Sequence, residues 1–268
     1  MRVLVTNDDG ITSPGLHALA VAVANAGHDV VVAAPLDNMS GSSASVGYLG
    51  QGSRIKVDSV ELDGLAAVPA YGVDGPPGLV VLLNAMGAFG GAAQLVVSGI
   101  NPGWNTGRSV LHSGTVGAAL TASQRGVSGV AVSIDEAPVT HWETAAHLGA
   151  LVLEWLLEAP SGTVVNLNVP DVPLDDVRGV RPAELAGLPA VQTTVVHSGD
   201  GYLDLAWTVT DTMLPDHTDT GLVQAGFAAV TLLNGVREAD WHDPSHPRPV
   251  EEHLERHLRL APMGPGAL

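Results

Sequence analysis

The chain has 268 residues, 46% of them hydrophobic, and is long enough to bury a substantial core in one large domain with or without an appendage. It contains no cysteine, which excludes disulfides, thiolate catalysis and sulfur-ligated zinc. Its net charge of −17 would repel a phosphate backbone, and it has no apolar run of membrane-spanning length, so we expect neither a nucleic-acid polymer nor a membrane as partner.

The first apolar run of the chain ends in two adjacent aspartates, Asp8 and Asp9. Its β-branched residues predict a strand over 2–7, and the pattern after the aspartates predicts a helix over 14–26. A second strand is predicted from His28 to Ala34, so the β-α-β order implies parallel strands with a right-handed crossover. Because no basic and apolar signal segment precedes the first strand, we expect a cytoplasmic protein.

Strands and helices are predicted to alternate as far as about residue 170. A long polar segment over 35–53 is too rich in Ser, Asn and Gly for a regular element, and such segments are usually functional or mobile. The elements predicted after it are a hairpin over 54–72, a helix over 76–86, a short strand over 94–97 followed by a Gly- and Asn-rich loop over 98–107, a loop that opens a helix over 111–124, a strand over 130–133, an amphipathic helix over 142–157 and a strand over 163–169.

The pattern changes after Pro170. Short alternating segments predict an antiparallel β-arm that projects from the main sheet, and a helix and a returning strand follow it. We therefore expect a core over 1–175 and a C-terminal region over 176–268, whose tail is either mobile or docked on a partner subunit. The C-terminal elements are the arm strands over 191–198 and 202–209, the helix over 218–224, the strand over 227–233 and a tail helix near 249–259.

Four polar segments occur at corresponding places in this predicted fold. They follow the first, the second and the 94–97 strands, and the fourth opens the helix over 111–124. In a parallel sheet the carboxyl ends of the strands form one edge, where ligands bind. The Asp-Asp-Gly sequence alone is also ordinary turn chemistry, but the three other segments favour a site.

The chemistry of these segments predicts a site for a hard cation and a phosphate. Asp8 and Asp9 would repel each other unless a cation or a proton lies between them. The donors on offer are carboxylate, hydroxyl and amide oxygens, which suit Mg²⁺, Mn²⁺ or Ca²⁺ better than Zn²⁺ or Cu²⁺. The segment from Ser113 to Gly117 offers hydroxyls and backbone N–H groups at the start of a helix, where a phosphate can bind.

In order and spacing, the four segments resemble the motifs of the SurE family of survival-protein phosphatases, which are 5'/3'-nucleotidases. Weaker similarity continues through Asn166-Leu167-Asn168 and Thr218-Asp219-Thr220, so that the resemblance covers about residues 1 to 235. The motifs are Asn7-Asp8-Asp9-Gly10, Ser40-Gly41-Ser42-Ser43, Ser98-Gly99-Ile100-Asn101-Pro102-Gly103-Trp104-Asn105 and Ser113-Gly114-Thr115-Val116-Gly117-Ala118-Ala119.

The resemblance implies a Rossmann-like three-layer α/β sandwich that hydrolyses nucleoside 5'- and 3'-monophosphates. It also implies one divalent cation per subunit, Mg²⁺ or Mn²⁺, and a homodimer or homotetramer formed through C-terminal elements. The implied catalytic residues are Asp8 and Asp9, either of which could orient or deprotonate the attacking water. The implied metal ligands are Asp8, Asp9, Ser40 and Asn101, and the implied substrate-binding residues are Ser40, Asn105, Ser113, Gly114 and Thr115.

Three segments depart from the family pattern, and they bear on base recognition and turnover. The segment before Ser40 lacks the usual basic residues, the segment over 75–80 differs, and Thr121-Ala122 replaces a Glu-Gly pair. A non-catalytic, metal-dependent nucleotide-binding regulatory protein is therefore kept as an alternative. A haloacid-dehalogenase phosphatase is disfavoured because Asn7 would occupy the nucleophile position, and a carboxamide cannot form an aspartyl phosphate.

Overall fold

The structure is a computed structural model that describes residues 1–187, 191–199, 201–209 and 214–236. The chain divides into two compact units, Met1–Gly235 and Val236–Leu268, and the described helices and strands all belong to the first. The predicted tail helix over 249–259 lies outside the described residues. The predicted boundary near residue 175 stays a prediction, and the first unit includes residues on both sides of it.

The described strands form a nine-stranded sheet with the order β3-β4-β2-β1-β5-β6-β7-β11-β8 and a separate two-stranded sheet, β9-β10. The strands are β1 Arg2–Thr6, β2 Asp29–Pro35, β3 Val57–Val60, β4 Ala70–Val73, β5 Leu95–Pro102, β6 Ser128–Ile134, β7 Val164–Asn168, β8 Val180–Pro182, β9 Val191–Gly199, β10 Tyr202–Val209 and β11 Ala228–Leu233. The α-helices are α1 Pro14–Asn25, α2 Pro77–Ala85, α3 Gly114–Ser123, α4 Trp142–Leu156 and α5 Asp219–Gln224.

Parallel pairing dominates the large sheet. The six strands from β4 through β2, β1, β5 and β6 to β7 pair parallel, whereas β3 and β11 run antiparallel to their neighbours β4 and β7. Thr6 at the end of β1 pairs with Ser98 of β5, so the aspartates that follow β1 lie at the edge toward which β5 also runs. The predicted Rossmann-like α/β fold with a mainly parallel sheet is confirmed.

Alternation along β1 shows why the sheet carries helices on both faces. Val3 and Val5 are fully buried in a cluster with residues of α1 and α4, whereas Leu4 is buried in a second cluster with residues of α2 and α3. Successive side chains of a strand point to opposite faces, so a strand that is apolar throughout needs helices on both sides. The result is the predicted three-layer sandwich. Among the described residues, no helix is long and apolar enough to cross a membrane.

One predicted boundary is wrong, at the Gly- and Asn-rich segment after residue 97. The strand was expected to end at Val97, but β5 continues through Ser98 to Pro102. Its pairing with β6 is interrupted after Ser98 and resumes at Asn101, which lies opposite Ser133. The low strand propensity of Gly, Asn and Pro is overridden here by pairing to a buried neighbour.

Candidate active site at the carboxyl edge of the sheet

Asn7 builds the turn that presents the two aspartates. Its fully buried side chain donates from Nδ2 to the carbonyl of Gly10 at 3.2 Å and to Oγ of Ser13 at 2.7 Å, while its Oδ1 accepts from the Gly10 N–H at 3.3 Å. Gly10 has a φ of 105°, which favours glycine, and Ser13 caps α1 by accepting from the Leu16 N–H. Asn7 therefore has a structural role in holding the turn against the start of α1.

Asp8 is buried against the start of α3. Its exposed fraction is 3%, and its Oδ1 accepts a hydrogen bond from the Thr115 hydroxyl at 2.5 Å. Burial raises the pKa of Asp8, while hydrogen bonds from Thr115 and Gly114 oppose the rise. The chain thus brings together residues 107 positions apart, and the N-terminal end of a helix faces a carboxylate.

Asp9 has one carboxylate oxygen without a protein partner. Its Oδ1 accepts from Nδ2 of Asn38 at 3.3 Å, and Asn38 is oriented by the Ser40 N–H, which donates to its Oδ1 at 2.9 Å. Oδ2 of Asp9 is buried with no hydrogen-bond partner. Burial and then the charge of Asp8 raise the pKa of Asp9 to about 7. A cation or a proton is what this oxygen lacks.

The side-chain amide of Asn101 is oriented by the turn that follows β5. Its Nδ2 donates to the Gly103 carbonyl at 2.7 Å, and because a carbonyl can only accept, this bond determines which way the amide faces. Oδ1 of Asn101 is left available as an acceptor, and this is the atom that a cation would bind.

Asn105 is held from two neighbouring strands. Its Nδ2 donates to Oγ of Ser133 on β6 at 2.8 Å, and its backbone carbonyl accepts from Nδ2 of Asn166 at 2.8 Å and of Asn168 at 3.0 Å. Both β7 asparagines are fully buried and lie on the same face of that strand. The indole N–H of Trp104 donates to the Val169 carbonyl at 2.9 Å and adds a third link to this part of the fold.

The start of α3 closes the other side of the site. Ser113 is the N-cap of α3, and its hydroxyl accepts from the Val116 N–H at 3.1 Å. Gly114 has no room for a side chain, since a Cβ there would lie 2.7 Å from Oδ2 of Asp8 and 2.6 Å from Oγ of Ser42. The predicted phosphate-binding segment therefore lies in direct contact with Asp8.

Ser40 is less closely engaged than the other predicted site residues. Its side chain is exposed, although the neighbouring Met39 N–H donates to the Asp8 carbonyl at 2.7 Å. Ser42, two residues later, has a buried hydroxyl without a hydrogen-bond partner and lies beside Gly114. The role of Ser40 as a metal ligand stays a prediction, and Ser42 is a neighbour of Asp8 to which the sequence pattern assigned no role.

The residues present fit a hard divalent cation. Asp8, Asp9 and Asn101 all offer oxygen atoms, and the partnerless Oδ2 of Asp9 is the strongest indication of a missing positive group. No group of three or more His, Asp or Glu side chains placed to hold a metal occurs in the described part of the chain. A cation here would therefore depend on amide and hydroxyl oxygens as well as on the two carboxylates.

Sequence reasoning missed the residues that support Asn105. Asn166 and Asn168 stood out as similar to a family motif but were assigned no role, and Ser133 was placed in a strand without one. A usable signal was present, because two asparagines two positions apart in an otherwise apolar strand must point to the same face and need buried partners.

A cavity of about 630 Å³ between α1 and α4 contains none of the site residues. Alanines form much of its lining, and His17 and His147 stand among its polar residues. The paired carboxylates and the phosphate-binding segment are instead concentrated at the sheet edge.

Together, the fold and this edge define a parallel α/β protein whose candidate site combines two adjacent aspartates with the start of a helix. The family described as Survival protein SurE matches residues 3–189. A relative named "5'/3'-nucleotidase SurE" from Edwardsiella ictaluri (strain 93-146) is 35% identical over 239 residues, which cover 87% of this chain and 89% of the relative. The chain therefore belongs to the SurE family.

Other comparisons agree with this assignment. A relative named "5'-nucleotidase SurE" from Legionella pneumophila (strain Corby) is 40% identical over 187 residues, covering 69% of this chain and 70% of the relative. Among solved structures, the SurE protein from Aquifex aeolicus matches with a TM-score of 0.74 at 25% identity, over 96% of this chain and 99% of that one. The likeness thus extends well beyond the four motifs.

Proposed function

We propose that this protein is a divalent-cation-dependent nucleotidase that hydrolyses nucleoside 5'- and 3'-monophosphates to nucleosides and inorganic phosphate. The observation that carries the proposal is the adjacent pair of Asp8, which is buried against the start of α3, and Asp9, which has a buried carboxylate oxygen without a partner. The names of relatives that are 35% to 40% identical over most of the chain support the same activity.

The cation would be held by Asp8, Asp9 and Asn101, with Ser40 as a further candidate ligand. A bound Mg²⁺ or Mn²⁺ supplies positive charge that polarises a phosphoryl oxygen and lowers the pKa of water. Thr115 keeps the Asp8 carboxylate in place through its hydroxyl. The Ser113 hydroxyl is the candidate donor to a phosphoryl oxygen, because the N–H groups of Gly114 and Thr115 bond to Asp8 and that of Val116 bonds to Ser113.

Asp9 is the better placed of the two aspartates to accept a proton from the attacking water. Oδ1 of Asp8 already accepts a hydrogen bond from the Thr115 hydroxyl, whereas Oδ2 of Asp9 has no partner. Burial and the charge of Asp8 raise the pKa of Asp9 to about 7 in the metal-free protein, and a bound cation would lower it. As the water oxygen bonds to phosphorus, the bond to the nucleoside oxygen breaks and that oxygen leaves with a proton.

The test measures inorganic phosphate released from a panel of 5'- and 3'-nucleoside monophosphates, with Mg²⁺, with Mn²⁺ and with EDTA. The wild type is compared with Asp8→Asn and Asp9→Asn, and with Asp63→Asn as the matched control, since Asp63 is exposed. We expect release that requires the cation, survives in the control and is lost in both site variants.

Binding of a cation and a nucleotide without phosphate release would instead support the non-catalytic alternative. No observation on the site favours that alternative, because a protein that only binds phosphate does not require two adjacent carboxylates. The three sequence departures leave Asp8, Asp9, Asn101 and the start of α3 in place, so their effect is expected on base preference, which the same panel measures.

For the assembly we propose a homodimer or homotetramer. The hairpin β9-β10 supports this, since its described residues include several large apolar side chains that are more than half exposed. Such side chains clustered on one element are typical of an interaction surface. Light scattering after size exclusion would measure the mass, and a monomer at micromolar concentration would contradict the proposal. The exposed residues are Val195, Val196, Tyr202, Leu203 and Leu205.

A further inference from the structure

Asp219 is a fully buried carboxylate outside the proposed catalytic residues. It begins α5, where its Oδ1 accepts from the N–H groups of Ala186 at 3.0 Å and Thr220 at 2.8 Å, and its Oδ2 accepts from the Gly107 N–H at 2.8 Å. None of the ion pairs formed by the described residues includes Asp219. Backbone N–H groups therefore compensate the cost of burying this carboxylate.

The bond to Gly107 connects α5 to the phosphate-binding side of the site. Gly107 begins a short 3-10 helix, Gly107–His112, which joins Asn105 to the N-cap Ser113. Its φ of 61° lies in the left-handed region, which favours glycine, and this conformation sets the direction in which the backbone turns at Gly107. The position of the Gly107 N–H consequently sets the spacing between Asn105 and Ser113, the two residues expected to approach the phosphate from different directions.

The other anchors of this segment are neutral. Asn166, Asn168 and Ser133 hold Asn105 through amide and hydroxyl groups, whereas Asp219 holds Gly107 through a buried carboxylate. Hydrogen bonds to an ionised acceptor are roughly twice as strong as those between neutral groups. Of these hydrogen bonds, the one from the Gly107 N–H to Asp219 should therefore weaken most when the acceptor is made neutral.

We propose that Asp219 is a positioning residue for phosphate binding, which acts through Gly107 on Asn105 and Ser113. The inference rests on the proposed function, and it implies that α5 and the segment around Ala186 contribute to phosphate binding. Asp219 lies far from Asp8 in sequence and makes no bond to either catalytic aspartate. Its loss should therefore disturb phosphate binding and leave the cation ligands in place.

The test uses Asp219→Asn, which keeps the size of the side chain and removes its charge. Asp216→Asn is the control, because Asp216 lies three positions earlier and its side chain is fully exposed. We expect Asp219→Asn to raise the KM for nucleoside monophosphates, and the Kd for inorganic phosphate measured calorimetrically with Mn²⁺, each by about tenfold. The kcat and the Kd for Mn²⁺ should change by less than about twofold.

A merely structural role would give a different pattern, with a lower Tm and a smaller active fraction but with unchanged KM and phosphate affinity. That result, or a weakened Mn²⁺ affinity, would overturn the inference. If Asp219→Asn fails to fold, the same binding measurements on Asp219→Ser decide the question. Because phosphate binding is measured without turnover, a wild type that binds phosphate but does not hydrolyse nucleotides would refute the proposed function and still test Asp219.

Discussion

The two sides of the candidate site differ in their electrostatics, because one carries two carboxylates and the other carries neutral amides. On the carboxylate side, Asp8 is buried beside the half-buried Asp9, the pKa values of both are raised, and one oxygen has no partner. On the amide side, Asn101 donates to Gly103, and Asn105 donates to Ser133 of β6 and accepts from Asn166 and Asn168 of β7, whose own Oδ1 atoms are buried without a partner. The first side concentrates negative charge that needs a ligand, whereas the second is uncharged and holds Asn105 through three hydrogen bonds.

Because of this difference, we expect substitutions on the carboxylate side to lower activity without lowering stability. Substitutions on the amide side should lower both. Residues selected for function commonly lower stability when their charges are buried without partners. Residues that position them through hydrogen bonds contribute to stability, although the partnerless Oδ1 atoms of Asn166 and Asn168 reduce that contribution. Variants on each side test this contrast.

The largest effect is expected for Asp8→Asn. Phosphate release should fall by roughly a thousandfold or more, because a ligand oxygen and a negative charge are lost from the reacting centre. The Tm of the metal-free protein should stay the same or rise, since burial raises the pKa of Asp8 and the neutral amide avoids this cost. Phosphate assays and calorimetry measure the two. A marked loss of stability would contradict the contrast, and Asp63→Asn is the control.

The second largest effect is expected for Gly114→Ala, because the substitution places a methyl group between Asp8 and Ser42. The added Cβ would lie 2.7 Å from Oδ2 of Asp8 and 2.6 Å from Oγ of Ser42, so one of them must move. We expect activity to fall by about a hundredfold and the free energy of unfolding by about 1–3 kcal/mol.

The matched control for that substitution is Gly149→Ala in α4. Its Cβ would lie 3.0 Å from Cγ2 of Val132, away from the aspartates. It should lower stability and leave kcat/KM unchanged. Equal losses of activity in the two variants would show that the Gly114 effect is general destabilisation.

A smaller effect is expected for Asn168→Ala on the amide side. The Asn105 carbonyl would lose one of its two donors, and we expect a loss of about 1 kcal/mol in stability together with roughly a tenfold rise in KM. Urea unfolding and steady-state kinetics measure the two quantities.

The double variant with Asn166→Ala should lose more stability than the sum of the two single losses, since the Asn105 carbonyl would then have no donor from β7. Asn234→Ala, at an exposed position after β11, is the control, and a drop in activity without any loss of stability would contradict the contrast.

The smallest effect is the pH dependence that Asp9 adds. Its pKa is about 7 in the fold against 3.8 for the unperturbed group, so the folded state holds the proton more tightly than the unfolded chain does. The contribution of Asp9 to the stability of the metal-free protein is therefore full below about pH 4 and is lost as pH rises to about 7. Mn²⁺ affinity should change in the opposite direction and rise with pH up to about 7, because the cation competes with the proton. Asp9→Asn should remove this part of both profiles, and unchanged profiles in that variant would refute the assignment.

Much of the fold was predictable because it depends on local patterns. The β-branched run before Asp8, the Ala-rich segment after Pro14 and the apolar stripe over 142–157 correspond to β1, α1 and α4 within about two residues. The predicted arm is observed as β9 and β10. Two features were not predictable from local patterns. They are β8, which is three residues long and exposed, and the extension of β5, which depends on pairing with β6.

The sequence by itself determined the family, the parallel fold and the four segments that meet at the sheet edge, because alternation, turn residues and motif spacing are local properties of the chain. The tertiary structure was needed to show which oxygens remain without partners, that the Ser40 side chain is exposed while the Ser42 hydroxyl is buried, and that Asn166 and Asn168 hold Asn105 while Asp219 holds Gly107. These properties depend on the groups packed around each side chain, which local patterns do not specify. Residues that contact each other here lie up to 112 positions apart, as Gly107 and Asp219 do.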